Sequence, residues 1–121
     1  MGKDSFLVNR IKSVGFAVKG AILLIKTEAS IKVQVFMAIV VTLMGFYFDI
    51  SNTEWMMQVI AIAMVIGIEG LNTAAEKIAD FIQPEFDEKI GFIKDVSAGA
   101  VMLVSVGAAI VGLLIYIPKI F

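Results

Sequence analysis

The sequence predicts an all-α integral membrane protein, with an N-terminal amphipathic surface helix followed by three transmembrane helices. Of its 121 residues, 60% are hydrophobic and the mean hydropathy is +0.95, above the roughly 45–50% apolar content of soluble domains. Three apolar stretches, taken with their flanking residues, reach the length of about 20 residues that crosses a bilayer. A chain this short forms a single domain, here spanning residues 1–121.

The three predicted spans cover residues of about 31–49, 53–72 and 96–117. The apolar run from Trp55 to Ile68 would rise only about 21 Å as a helix, so the second span must include further residues. Glu69 then lies near or just inside the membrane boundary. The third span is long enough by itself, and Pro118 and Lys119 close it.

The residues from about 4 to 26 predict a helix at the membrane surface. Apolar side chains recur in steps of three and four at Leu7, Ile11, Val14, Val18, Ile22 and Ile25. Lys12, Lys19 and Lys26 form a separate basic stripe, which favours a helix lying in the headgroup region over a fourth span. These lysines are also available to a phosphate-bearing substrate.

The distribution of Lys and Arg predicts the orientation in the membrane. The first 32 residues contain six of the ten, residues 77–94 contain three, and the loop at 49–54 contains none. Because cytoplasmic segments retain Lys and Arg, the N-terminus is predicted inside and the C-terminus outside.

The composition excludes several classes of function. The chain has neither Cys nor His, which removes disulfides, thiol nucleophiles and the usual zinc sites. The net charge of -1 and the absence of a polybasic run exclude nucleic acid as a partner. No GxxxxGK[ST] or GxGxxG motif is present, so a conventional nucleotide-binding fold is excluded as well.

The most informative segment is IEGLNTAAEKIAD, residues 68–80. At about 100° per residue, Asn72, Glu76 and Asp80 lie within about 60° of Glu69 around the helix axis, so the four share one face. A solvated helix face is an alternative explanation for Glu76 and Asp80. Glu69 is different, because a carboxylate near the end of an apolar span is costly and marks a functional site.

Three further polar residues reach the same predicted cytoplasmic surface. Glu28 precedes the first span, and Lys94 and Asp95 precede the third. Carboxylates from two helices, with a lysine and an amide, are suited to Mg²⁺ and a polyphosphate, because Mg²⁺ prefers a few carboxylate oxygens together with phosphate oxygens. Phosphoryl transfer needs little more from a protein than positioning, charge neutralisation and a base.

These residues resemble the bacterial diacylglycerol kinase and undecaprenol kinase family of small three-span enzymes. The pattern E-x-x-N-[ST]-A-x-E-x-x-x-D is matched by Glu69, Asn72, Thr73, Ala74, Glu76 and Asp80. Thr27-Glu28 and Lys94-Asp95 support the resemblance, which covers nearly the whole chain. It implies a lipid kinase of the bacterial cytoplasmic (inner) membrane that uses ATP and Mg²⁺, and a homotrimer whose active sites are shared between subunits.

The resemblance also implies a role for each matched residue. Glu69 is the base that takes the proton from the lipid hydroxyl, and Glu28 and Glu76 are ligands of the metal that accompanies ATP. Lys94 and Asp95 contact the nucleotide.

Further positions follow from the same resemblance. Asn72 and Asp80 order the site. The positions that similar enzymes place around ATP or lipid are Arg10, Phe16, Glu85, Phe86 and Asp87. The residues implied to bind the lipid substrate are Arg10, Glu69 and Ala98. The family's usual aromatic residue at position 16 is Tyr.

The substrate is predicted to be undecaprenol, with diacylglycerol as the alternative. The segments Ala98-Gly99-Ala100, Glu54-Trp55 and Ile117-Pro118-Lys119 resemble the undecaprenol kinase branch. Ser30 and Gln34 depart from it, since many of its members have Asn and His there. Two readings from other classes are a small transporter or proton-relay subunit and a non-catalytic scaffold that binds divalent metal.

Overall fold

The computed structural model describes residues 5–85 and 87–121, and these residues form helices joined by short connections. The helices are α1 (Phe6–Thr27), α2 (Ala29–Tyr47), α3 (Asn52–Ile82) and α4 (Glu88–Ile120). The described residues contain no strand, which confirms the predicted all-α class.

Helix α1 differs from the other three in composition. Helices α2, α3 and α4 are long and apolar enough to span a membrane. Among the described helices, α1 does not meet this criterion. The side chain of Ser5 caps α1 by accepting a hydrogen bond from the Val8 amide, and none of the helix's residues is buried. The predicted start of this helix at residue 4 lies outside the described residues.

Helices α3 and α4 are both longer than the spans predicted from them. Helix α3 continues past residue 72 to Ile82, and α4 begins at Glu88, well before residue 96. Helix α4 also continues through Pro118 to Ile120, where the missing proline N–H costs one hydrogen bond, to the Leu114 carbonyl, in the last turns of the helix. The extensions carry the polar motif residues beyond the apolar parts of the helices.

Helices α2, α3 and α4 pack into a small core at the end of the bundle that holds the α2–α3 loop. It consists of Ile50, Ile115 and Tyr116, with Met44, Phe48, Trp55 and Val111 against them. The tight α2–α3 loop includes Asp49 at φ 51°, a backbone conformation that Asp tolerates better than most residues. Ser51 and Glu54 then form a capping box that starts α3.

A buried polar cluster ties the three spans together close to this core. Gln58 donates from Nε2 to the Val41 carbonyl at 3.1 Å. The Tyr116 hydroxyl lies 2.5 Å from Gln58 Oε1 and 3.0 Å from the Val41 carbonyl oxygen. It has one proton, which it can donate to either of these two acceptors. Since an unsatisfied polar group in a water-free interior costs about 1–3 kcal/mol, the cluster stabilises one relative placement of α2, α3 and α4.

A groove of about 340 Å³ runs between α2, α3 and α4 within the apolar region. Its lining is mostly aliphatic, with Gln34, Gln58, Ser105 and Tyr116 as the polar members. No Asp, Glu, Lys or Arg lines it, so this groove suits hydrocarbon and does not have the charged groups of a proton or ion pathway.

Gly45 provides a test of the packing near the α2–α3 loop. A Cβ at this position would lie 2.6 Å from Trp55 Cη2 and 3.2 Å from Ile50 Cδ1. We expect Gly45→Ala to lower the free energy of unfolding by about 1–3 kcal/mol, because the indole ring must move. Reversible unfolding in detergent, followed by circular dichroism, measures the change.

Gly107→Ala is the matched control, since a Cβ there meets nothing within 4 Å in this chain. The gain in helix propensity should leave its stability unchanged or raise it by about 1 kcal/mol. Equal destabilisation by both substitutions would contradict the packing described for Trp55.

Candidate active site

The acidic face predicted on α3 passes from a buried to an exposed environment along the helix. Glu69 and Asn72 each retain 8% of their accessible surface, and Thr73 is buried beside them. One and two turns further, Glu76 and Asp80 are exposed. The face therefore connects the apolar part of α3 with its polar end.

Asn72 and Glu76 contact each other directly. Asn72 donates from Nδ2 to Glu76 Oε1 at 3.3 Å, as the spacing of four residues on a helix allows. The Oδ1 atom of Asn72 is buried and has no hydrogen-bond partner among the described residues. Asn72 thus orients the Glu76 carboxylate and retains an acceptor for a further donor.

The end of α1 packs against α3 next to Glu69. A Cβ added at Gly70 would lie 3.0 Å from Leu24 Cδ1, which shows how closely the leucine approaches the α3 backbone. This contact places the end of α1 beside the residue that follows Glu69.

Glu28 is the single residue that separates α1 from α2. Its backbone is extended, with φ -100° and ψ 118°, and it caps both helices. Its Oε1 lies 3.5 Å from the Nζ atom of Lys77, which follows Glu76 in α3. The ion pair therefore brings Glu28 to the part of α3 that carries Glu76.

Helix α4 contributes a second ion pair to the same end of the molecule. Lys94 Nζ lies 2.5 Å from Asp80 Oδ1. Asp95 and Ala98 are exposed on α4. Two ion pairs, Glu28 with Lys77 and Asp80 with Lys94, thus connect α3 with its neighbours at the end of the bundle that carries Glu76.

The remaining predicted positions lie apart from these contacts. The guanidinium of Arg10 lies 5.5 Å from the centre of the Phe6 ring, and Phe16 is exposed on α1. Glu85 is exposed in the α3–α4 connection. Asp87 caps α4, with its Oδ1 accepting from the Lys89 and Ile90 amides at 2.9 and 3.4 Å. Phe86 lies outside the described residues.

The oxygen donors on this surface match the chemistry of Mg²⁺ only in part. Carboxylates such as Glu28 and Glu76 are the hard ligands that Mg²⁺ prefers, usually one or two of them with phosphate oxygens and water. Among residues 5–85 and 87–121, no three acidic side chains lie close enough together to hold a metal ion. One chain thus provides a donor set that requires phosphate oxygens to complete it.

Two residues of this site were not singled out from the sequence. Thr73 is buried on the acidic face next to Asn72, although the motif contains it only as a matched position. Lys77 pairs with Glu28. The sequence feature that could have indicated Lys77 as a site residue was its position next to Glu76, on the flank of the acidic face. The partner of Lys77 lies on another helix, so spacing along α3 does not predict the contact.

Comparison with known proteins gives the family. Residues 15–116 match the model of a family described as prokaryotic diacylglycerol kinase. The chain is 35% identical over 94 residues to an undecaprenol kinase of Bacillus subtilis, covering 78% of this chain and 76% of the relative. It is 26% identical over 103 residues to a diacylglycerol kinase of Haemophilus influenzae, covering 85% and 87%. With its all-helical fold and three candidate spans, the chain belongs to the prokaryotic diacylglycerol kinase family of membrane lipid kinases.

Proposed function

We propose that this protein transfers the γ-phosphoryl group of ATP, with Mg²⁺, to the hydroxyl of a membrane lipid at the cytoplasmic surface. The observation that carries the proposal is the acidic face of α3, on which the buried Glu69 is followed by Asn72 and then by the exposed Glu76. A lipid hydroxyl approaches from the membrane, whereas ATP approaches from water. A face that spans both environments is suited to bring the two substrates together.

Glu69 is the base in this proposal. It accepts the proton of the lipid hydroxyl as that oxygen forms a bond to the γ-phosphorus, and the bond between the γ-phosphorus and the bridging oxygen of ADP breaks. The products are a lipid phosphate and ADP. Glu69 is suited to this role because it is buried, and the residue that follows it, Gly70, lies against Leu24 of α1.

The remaining residues hold and neutralise the phosphates. Glu28 and Glu76 would bind the Mg²⁺ that accompanies ATP, and the bound ion would neutralise charge on the phosphate oxygens. Asn72 orients Glu76 through its hydrogen bond, and Asp80 orients Lys94.

Lys94 and Asp95 contact the nucleotide. The positions Arg10, Phe16, Glu85, Phe86 and Asp87 complete the nucleotide-binding set, and Arg10 and Ala98 lie toward the lipid.

The proposed roles of the carboxylates predict different effects on turnover and binding. Glu69→Gln should lower kcat by roughly a hundredfold or more, because it removes the proton acceptor, and should leave the affinity for Mg²⁺-ATP nearly unchanged. Glu28→Gln and Glu76→Gln should weaken nucleotide binding as well as turnover. Steady-state kinetics and equilibrium binding of a non-hydrolysable ATP analogue measure both quantities.

Asp95→Asn is a useful comparison, since Asp95 is exposed on α4 and would affect nucleotide binding without removing a metal ligand. If Glu69→Gln lost as much nucleotide affinity as Glu28→Gln, Glu69 would be a ligand and another group would be the base. If no lipid alcohol were phosphorylated by the unmodified protein, the proposed function would fail.

We further propose that the protein is a homotrimer with active sites shared between subunits. The proposal follows from the family resemblance carried by the motif residues Glu69, Asn72 and Glu76. Gly67 and Gly112 also face open space within the chain, which leaves room for close approach of a helix from another subunit.

We place the protein in the bacterial inner membrane, with the acidic face in the cytoplasm. The chain has no native cysteine, so single cysteines test this orientation directly. Thr53→Cys, in the exposed start of α3, should react with an impermeant thiol reagent added to intact cells. Glu88→Cys, exposed at the start of α4, should react only after the membrane is opened. The opposite labelling pattern would separate the acidic face from cellular ATP.

Undecaprenol is the lipid that we favour as substrate, with diacylglycerol as the alternative. The identity to the undecaprenol kinase of B. subtilis is 35%, against 26% to the diacylglycerol kinase of H. influenzae. Two of the features that resemble the undecaprenol branch also contact each other, since Lys119 Nζ lies 2.8 Å from Glu54 Oε2. Near Ala98 the chain offers small residues and few groups for the ester carbonyls of a diacylglycerol.

A competition experiment tests the preference. Purified protein receives equal amounts of undecaprenol and diacylglycerol in one mixed micelle with labelled ATP, and the two lipid phosphates are separated and counted. The ratio of products gives the ratio of kcat/KM values, because both alcohols compete for one site. We expect undecaprenyl phosphate in excess. An excess of phosphatidic acid would overturn the substrate assignment and retain the lipid kinase activity.

A further inference from the structure

Lys77 is a cation in the candidate active site to which none of the matched motifs gives a role. Its ammonium lies 3.5 Å from Glu28 Oε1, and it directly follows Glu76 in α3. Glu28 and Glu76 are the two carboxylates proposed to bind the metal that accompanies ATP. Lys77 is therefore adjacent to both proposed ligands, one through space and one along the helix.

Stability does not explain this ion pair. The Lys77 side chain is 71% exposed and that of Glu28 is 27% exposed. Ion pairs of this exposure contribute about 0–1 kcal/mol, since water screens the charges and the lysine loses rotamer freedom. The pair can therefore separate at little cost when another charge enters the site.

A divalent cation on Glu28 would separate it. Mg²⁺ binds carboxylate oxygens at about 2.1 Å, so the cation and the ammonium would compete for the Glu28 carboxylate. Lys94, the lysine expected at the nucleotide, is paired with a different carboxylate, that of Asp80. The displaced Lys77 ammonium is then beside the phosphate oxygens that the same cation binds.

We propose that Lys77 exchanges its ion pair with Glu28 for the phosphates of the nucleotide when Mg²⁺-ATP binds. Lys77 is thereby a nucleotide-binding residue. Before Mg²⁺-ATP binds, its ammonium takes the place at the Glu28 carboxylate that the metal ion would occupy. The inference rests on the proposed function, because it uses Glu28 and Glu76 as the metal ligands. It adds a residue and an exchange of charge partners to that site.

The exchange predicts two effects of opposite sign for Lys77→Gln. Without nucleotide, the variant should bind Mn²⁺, used as a paramagnetic probe for Mg²⁺, a few-fold more tightly, because the competing ammonium is gone. With Mg²⁺, its affinity for a non-hydrolysable ATP analogue should fall about tenfold, because a charge-assisted contact to phosphate is lost. Lys77→Arg should retain most of the analogue affinity.

Lys89→Gln is the matched control. Lys89 is exposed at the same end of the molecule and has no carboxylate partner among residues 5–85 and 87–121. Removing its charge should change neither affinity by more than about twofold, whereas a general electrostatic effect would appear in both variants.

Unchanged analogue affinity in Lys77→Gln would overturn the proposal. A parallel loss of Mn²⁺ and analogue affinity would also overturn it, because that result indicates a structural role for the ion pair. The binding measurements contain no lipid, so they decide the role of Lys77 separately from the proposed function. That function fails on a different result, the absence of lipid phosphorylation by the unmodified protein.

Discussion

The cost of holding a carboxylate next to hydrocarbon is the constraint on which the arrangement of this protein depends. Glu69 lies where α3 leaves its apolar stretch, and its side chain is covered by the protein. Burial of this kind is tolerated only where neighbouring elements provide a polar environment. Asn72 and Thr73 are on the same face, and the end of α1 packs on Gly70. The end of α1 and the acidic face of the long α3 therefore adjoin at Glu69 and Gly70.

The two ends of the bundle are stabilised by different interactions. The end with the α2–α3 loop has a packed aromatic and aliphatic core, a capping box and the Gln58–Tyr116–Val41 cluster. At the end that carries the acidic face, Ile31 and Ala79 are buried, and two exposed ion pairs, Lys77 with Glu28 and Lys94 with Asp80, join the helices. Since exposed ion pairs contribute little free energy, the polar contacts at this end stabilise the bundle less than the buried polar cluster does at the other end.

Much of the fold follows from the sequence, because apolar length and charge patterning are local properties. The described residues form the four helices that were predicted, while the surface position of α1 and the membrane boundaries of the three spans stay predictions. The extensions of α3 to Ile82 and of α4 from Glu88 were not predicted, since polar helices beyond the membrane have no hydropathy signal. The shared face of Glu69, Asn72 and Glu76 followed from helical spacing. The pairings of Lys77 with Glu28 and of Tyr116 with Gln58 join different helices, and periodicity within one helix contains no information about them.

The extended backbone of Glu28 has a mechanical consequence. One residue joins α1 to α2, and that residue is also a proposed ligand of the metal. A change in the tilt of α1 must be absorbed by the dihedral angles of Glu28, and the carboxylate turns with them. Any force that tilts α1 against α2 would thereby reach a proposed ligand without an intervening element.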